Sequence, residues 1–330
     1  MQLTWQKVQL PLKETFSIAY GNYSSRNALI VILKKEGIKG YGECTEIDYY
    51  NIKIDQLIAE LKVIKDLIES QSIVHPFEFY QLLAKSSLST FVRSALDCAY
   101  WDLFGKLEKK HFFELTNINV SRIPESSITI SIDTLQKQQA KIEASSWTRF
   151  KVKCKGMQKE ALYLFSEMQQ EIAIDSNASF TVVDCKWLES QDFVSKFTYL
   201  EQPMPVGKYM SLNKENYANW MADEDFQNAT QLEQLVGCYG SINVKLVKCG
   251  GLTPALTIIQ EARKLGYKIM IGCMTESTIG ISAGAVLAPL VDYADLDGAN
   301  LLASDIAYGT KVIEGKIILN ESPGLGISIR

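Results

Sequence analysis

Lys151 and Lys153 stand two residues apart in Phe150-Lys151-Val152-Lys153-Cys154. In an extended strand successive side chains alternate between faces, so the two lysines share one face and Phe150, Val152 and Cys154 the other. Neighbouring ammonium groups raise the cost of each other's protonation. At least one is therefore expected to have a lowered pKa and to serve as a base near neutral pH. Taken alone, the stretch reads equally as an edge strand guarded by lysines against aggregation. Only His75 and His111 are present, so any acid–base chemistry has to come from lysines and carboxylates.

Other charged residues recur at the ends of apolar runs. Asp184 closes Phe180–Asp184, Glu201 closes Thr198–Glu201, and Asp223, followed by Glu224, closes Asn219–Asp223. Lys245 lies within Ser241–Val247, and Asp295-Leu296-Asp297 closes Tyr293–Asp297. Three carboxylates at three successive strand ends, with no histidine or thiolate among them, favour a hard divalent cation of the magnesium type. Without a cation their mutual repulsion would be severe. Taken singly, each acid also reads as a helix N-cap or a surface residue.

These residues need a frame. Ser127–Ile132, Arg149–Cys154, Phe180–Asp184, Thr198–Glu201, Asn219–Asp223, Ser241–Val247, Lys268–Cys273 and Tyr293–Asp297 form a series of short, β-rich runs. Helical stretches such as Lys155–Ile172, Asn228–Gly237 and Thr253–Leu265 separate them, which is the signature of a β/α barrel. An open doubly wound sheet is disfavoured because no Gly-rich phosphate loop follows the first strand. In a barrel the strands' carboxyl ends carry the chemistry. Lys153 and Lys245, on the second and sixth strands, would face each other across a substrate held at the centre. One lysine would remove a proton next to a carboxylate and the other return one, inverting the carbon, with Lys151 adding positive charge near the developing oxyanion.

The first 110 residues differ. Leu3–Leu12, Ala28–Lys34 and Gly37–Glu43 read as a small antiparallel sheet, followed by helices over Ile54–Glu69, Pro76–Ala84 and Phe91–Lys106. In the last of these, Asp97 and Asp102 interrupt the apolar register. The expected architecture is an α+β domain (1–115) joined to a β/α barrel (116–309).

The 330 residues are 47% hydrophobic and carry a net charge of -4 with no long basic run, which argues against a nucleic-acid partner. The seven scattered cysteines contain no C-x-x-C pair and read as reduced thiols of a cytoplasmic protein. No apolar run reaches the roughly 18 residues of a membrane span, and the N-terminus shows no signal pattern, so a soluble protein is expected.

The ordered set of motifs resembles the enolase superfamily, in its muconate-lactonizing subgroup, and most closely the dipeptide epimerases of the Ala-Glu type. It comprises Gly40-Tyr41-Gly42-Glu43, the Ala95–Leu103 helix, Lys151-Val152-Lys153, Glu201-Gln202-Pro203, Ala222-Asp223-Glu224, the Asn243–Gly251 run and Pro323-Gly324-Leu325-Gly326. The resemblance implies that the barrel is of the (β/α)7β type, that residues 1–115 are its α+β capping domain, and that the tail, 310–330, returns to complete that cap. It also implies one Mg2+ held by Asp184, Glu201 and Asp223, and two acid/base lysines, Lys153 and Lys245 rather than Lys248. Asp295 and Asp297 would bind the free α-ammonium of a dipeptide, and Glu276 would neighbour the substrate pocket. Members of the family often assemble through their outer helices, so a homo-oligomer is expected.

Three departures stand out. The family's Asp-Ala-Asn appears as Asp184-Cys185-Lys186, and the stretch from there to Glu201 is about ten residues short of the family norm. Lys186 reads as an exposed residue or as one reaching the pocket. The glutamate-binding arginine aligns with Gly21, leaving nearby Arg26 as the candidate. The activity implied is Mg2+-dependent epimerisation at the α-carbon of the second residue of a dipeptide, with L-Ala-L/D-Glu first and hydrophobic or other dipeptides next. Cycloisomerase and o-succinylbenzoate synthase chemistry are rivals within the family. A Schiff-base aldolase and a barrel used only for binding are the outside alternatives.

Overall fold

The computed structural model describes every residue except Tyr217. Three antiparallel strands, β1 (Gln2–Ile18), β2 (Gly21–Lys35) and β3 (Ile38–Thr45), open the chain. Helices α1 (Ile54–Glu69), α2 (Pro76–Ala84), α3 (Thr90–Glu108) and α4 (Phe112–Thr116) follow. The sheet is longer than the sequence suggests because β1 and β2 continue as a hairpin to the tight turn at Ala19-Tyr20. Helix α3 packs on β3 so closely that a Cβ at Gly40 or Gly42 would collide with the backbone carbonyls of Ala99 and Ala95. Only glycine permits that approach.

Eight parallel strands then form one sheet: β4 (Ile128–Ile130), β5 (Arg149–Lys153), β6 (Glu171–Asp175), β7 (Leu200–Glu201), β8 (Trp220–Ala222), β9 (Ser241–Val244), β10 (Lys268–Gly272) and β11 (Tyr293–Asp295). The sheet is nearly closed. A Ser126–Ala294 bridge joins its two edges, with the Ser127 N–H donating to the Ala294 carbonyl at 3.0 Å. Helices α5 (Leu135–Glu143), α6 (Lys159–Ser166), α7 (Val182–Glu189), α8 (Leu232–Leu235), α9 (Leu246–Cys249), α10 (Leu252–Lys264) and α11 (Thr278–Ala285) connect the strands, α9 and α10 both between β9 and β10, while β7 and β8 are joined through a 3-10 turn. The result is a capping domain on a modified (β/α)8 barrel. Outward-facing strand residues such as Phe150, Val152, Ile172 and Ile174 join the helices in a single core. Among the described residues no helix is long and apolar enough to cross a membrane.

The third strand is not Phe180–Asp184. Residues 171–175, the first two expected to close a helix and the rest to lie between elements, form β6, and residues 182–184 open α7. The reason is local: Thr181-Val182-Val183-Asp184 is a capping box. The Thr181 hydroxyl accepts from the Asp184 N–H (3.2 Å), and the Asp184 carboxylate accepts from the Thr181 N–H (2.8 Å). Val182 and Val183 are exposed, at 47% and 77%, which a buried barrel strand would not allow.

The two aspartates that interrupt α3 tie the cap to the rest of the molecule. Asp97 accepts from the Thr253 N–H and hydroxyl, both at 2.8 Å, at the start of α10. Asp102 accepts from the Tyr41 N–H (3.0 Å), the Lys106 ammonium (2.6 Å) and the Leu325 N–H (2.9 Å). The tail thus returns to the cap through Asp102.

Candidate active site

Lys151 and Lys153 point into the barrel from β5. Lys151 pairs with Asp295 and lies 3.5 Å from Glu201 and 3.9 Å from Asp175. Lys153 pairs with Asp175. Lys245, directly after β9, donates to Asp223 at 2.7 Å, and Lys248 donates to the Asp223 carboxylate and carbonyl at 2.6 Å each. The barrel order sets the second and sixth strands four apart, so Lys153 and Lys245 come from opposite sides of the site.

The expected lowering of a lysine pKa is not what Lys151 shows. Burial acts to lower it, but Asp295, Glu201 and Asp175 outweigh burial and hold it well above the ordinary value. At Lys245 burial is likewise outweighed, by Asp223 and Glu201.

Asp175, not Asp184, ends the third barrel strand and stands beside Glu201 and Asp223. The three carboxylates are almost fully buried, at 0%, 1% and 2% exposure. Asp184 is spent on its helix cap at the surface. Moving the position nine residues upstream also removes two of the departures. Asp175-Ser176-Asn177 replaces the anomalous Asp184-Cys185-Lys186, and the spacing to Glu201 lengthens by the missing amount. Lys186 lies outside, paired with Glu189 at 2.7 Å.

The donor set suits a hard cation. Burial, with Asp175 and Asp223 alongside, pushes Glu201 up to about 7, and its Oε2 has no hydrogen-bond partner among the described residues. Burial would also raise Asp223, yet Lys245 and Lys248 hold it well below the usual carboxylate range. Among the described residues no three His, Cys, Asp or Glu side chains are gathered tightly enough to form a finished shell, and Lys153 pairs with Asp175 while Lys245 and Lys248 pair with Asp223.

Gln202 joins all three acid-bearing strand ends. Its carbonyl accepts from the Ser176 hydroxyl (2.9 Å) and the Ala178 N–H (2.8 Å), both just after Asp175. Its side-chain oxygen accepts from the N–H groups of Asp223 (3.1 Å) and Asp225 (3.0 Å), and its amide donates to the Met204 carbonyl and the Asp225 carboxylate. This wiring holds a non-glycine residue at φ 37°. Asn243 fixes Glu201 from β9 at 2.7 Å.

Asp295 and Asp297 are both buried, but they differ in what they can offer a ligand. Asp295 is committed to Lys151 and to the Ser127 hydroxyl (2.8 Å). Burial raises it, but Lys151 and Ser127 outweigh that and hold it below the usual range. In Asp297 one oxygen accepts from the Thr129 N–H at 2.6 Å, and burial with Asp295 nearby pushes the group up to about 6.

The mouth is a cavity of about 70 Å³, closed from the cap by Phe16, Ile18, Tyr20, Tyr23, Arg26 and Tyr50. Arg26 is 8% exposed, its guanidinium lies 3.5 Å above the Tyr23 ring, and its Nε has no hydrogen-bond partner among the described residues. Cys273, Met274 and Thr275 line the cavity, whereas the Glu276 carboxylate accepts from the Met274 N–H (2.8 Å) and lies near Glu43 of the cap.

Residues 134–330 match the family described as "Enolase C-terminal domain-like", and residues 1–116 the "Mandelate racemase / muconate lactonizing enzyme, N-terminal domain". The chain belongs to the enolase superfamily. It is 35% identical to an L-Ala-D/L-amino acid epimerase of Maribacter sp. over 100% of this chain and 99% of that one. To the L-Ala-D/L-Glu epimerase of Escherichia coli it is 31% identical over 94% and 97%. Its fold is similar to a dipeptide epimerase of Enterococcus faecalis complexed with Mg and L-Leu-L-Tyr (TM-score 0.88, 27% identity, 99% of each chain). It is also similar to one of Methylococcus capsulatus complexed with Mg and L-Arg-D-Lys (TM-score 0.88, 26% identity, 99% and 98%).

Within this superfamily the missed residues are instructive. Asp175 was legible as the end of an alternating Glu-Ile-Ala-Ile-Asp run followed by Ser-Asn, and Thr181–Asp184 as a capping box. Gln202 gave no signal beyond its place after Glu201, because a hub is defined by what surrounds it.

Proposed function

We propose that this protein is a Mg2+-dependent dipeptide epimerase acting at the α-carbon of the second residue. The observation that carries this is Lys153 and Lys245 on opposite sides of one buried site, with three carboxylates between them and a buried Asp297 at its edge. Asp175, Glu201 and Asp223 would hold the cation, which when bound supplies positive charge to the substrate carboxylate as its α-proton leaves. The chain does the rest. Asp297 offers its free oxygen to the substrate ammonium, and Asp295 positions Lys151. One catalytic lysine takes the α-proton on one face while the other delivers a proton on the opposite face. Tyr20 and Tyr50 from the cap screen the site from water.

Arg26 favours an acidic second residue. A buried guanidinium with an unpartnered Nε, at the wall of the cavity, suits the side-chain carboxylate of Glu. The L-Ala-D/L-Glu and L-Ala-D/L-amino acid activities of the relatives agree with this. The ammonium site favours a dipeptide over the cycloisomerase and synthase substrates, which carry no ammonium.

The test is proton NMR of the protein with Mg2+ in D2O on a panel of L,L-dipeptides, with and without a chelator. Deuterium should enter the α-position of the second residue of L-Ala-L-Glu, the L,D-diastereomer should appear, and chelation should stop both. No exchange with any dipeptide would overturn the reading.

A further inference from the structure

Beside the active-site cavity lies a second one of about 410 Å³, which nothing in the proposed reaction uses. Strand β1 creates it. The pairing of β1 with β2 shifts between Pro11 and Phe16, so residues 12–15 bow away from the hairpin. They arch over the seam between β11 and β4, where the Thr129 N–H bonds to Asp297. Ile128, Ile130 and Phe16 give the chamber an apolar body. Its rim is polar but already paired: Lys13 donates to the Asn300 carbonyl at 2.7 Å, and Lys141 meets Glu14 at 2.9 Å.

The chamber and the active-site cavity share Phe16, Thr129 and Leu301 as a common wall. Thr129 is also the residue whose N–H holds Asp297. A dipeptide whose ammonium rests on Asp297 therefore has its N-terminal residue next to this wall. We infer that Leu301, backed by Phe16 and Thr129, limits the N-terminal residue to the size of alanine, and that the chamber behind it is a latent subsite for an aliphatic N-terminal side chain. This rests on the dipeptide epimerase reading. The chamber falls within the usual range of small-molecule pockets, roughly 300–1,000 Å³, so space beyond the wall is not limiting. Leu301 belongs to a single 3-10 turn, Gly298–Leu301, and is only half-buried, which makes it replaceable.

The experiment compares kcat/KM for L-Ala-L-Glu and L-Leu-L-Glu with the Mg2+-loaded enzyme, read as deuterium incorporation. Leu301→Ala should raise the L-Leu-L-Glu to L-Ala-L-Glu ratio by at least about ten-fold, because each apolar methylene accommodated is worth roughly 10–200-fold. Adding Ile128→Trp, which fills the chamber, should cancel that gain, while Ile128→Trp alone leaves L-Ala-L-Glu turnover unchanged. An unchanged ratio in an active Leu301→Ala enzyme would overturn the inference, as would a gain that survives Ile128→Trp. Should Leu301→Ala not fold, Leu301→Val is held to the same comparison. Wild-type enzyme that exchanges no dipeptide of the L,L-panel would instead refute the epimerase reading itself, and this inference with it.

Discussion

Asp175 and Asp184 lie nine positions apart and are expected to behave oppositely. Asp175→Asn should weaken Mg2+ binding, measured by calorimetry, by at least about 100-fold, because even second-shell losses cost roughly 10–100-fold. Asp184→Asn should leave Mg2+ affinity unchanged and cost about 0.5–2 kcal/mol of stability as a weakened helix cap. The lysines separate by outcome as well. Lys245→Ala should lower epimerisation by about 10²–10⁴-fold, while Lys153 still exchanges the α-proton of one diastereomer with solvent deuterium. Arg26→Met should raise KM for L-Ala-L-Glu by more than for L-Ala-L-Ala, since a lost charge-assisted bond is felt only where the substrate carries the matching carboxylate. Equal effects on both dipeptides would place Arg26 in the scaffold instead.

Between elements, the carboxylates are held in mutual register by Gln202 rather than by their own strands. Strands β7 and β8 are only two and three residues long, too short to fix the loops that follow them. The Gln202 side chain supplies the missing connection from β7 to the Asp223 loop, and its carbonyl that from β7 to the Asp175 loop. Gln202→Leu leaves the Asp223 and Asp225 N–H groups buried without acceptors, at about 1–3 kcal/mol for each unsatisfied group. It should therefore lower both the melting temperature and Mg2+ affinity. Gln202→Glu keeps the acceptor and should recover part of the metal affinity, a partial rescue that calorimetry can read directly.

Across the whole molecule, the cap and barrel meet at a pair of buried acids. Glu43 of β3 accepts from the Ser277 and Gly280 N–H groups and the Ser277 hydroxyl at the start of α11, and Glu276 lies near it. Burial, with Glu43 nearby, pushes Glu276 up to about 8. An unfolded glutamate titrates near 4.3. The folded state therefore binds this proton more tightly, and its contribution is complete below about pH 4 and lost as pH rises toward 8. Glu276→Gln, which mimics the protonated form, should match wild type in acid and exceed its melting temperature by a margin that grows up to about pH 8. A constant margin across that range would show that Glu276 ionises freely in the folded protein.

The sequence by itself determined the α+β cap, the barrel, and seven of the charged positions in the site: Lys151, Lys153, Glu201, Asp223, Lys245 and the Asp295/Asp297 pair. Each of these lies within two residues of the end of a strand whose apolar residues announce it, so period and position coincide. Asp175 failed that test because its strand abuts a helical pattern, and the β-branched Val182-Val183 pair beyond it imitates a strand better than β6 does. Strand propensity alone favours the wrong one of these two adjacent candidates, against the capping box at Thr181–Asp184; burial decides between them. The same holds for Gln202, for the Asp97 and Asp102 anchors, for the Glu43–Glu276 contact, and for the wall of Phe16, Thr129 and Leu301. Their partners lie far away in the chain, and only the packed fold brings them within hydrogen-bonding or van der Waals reach.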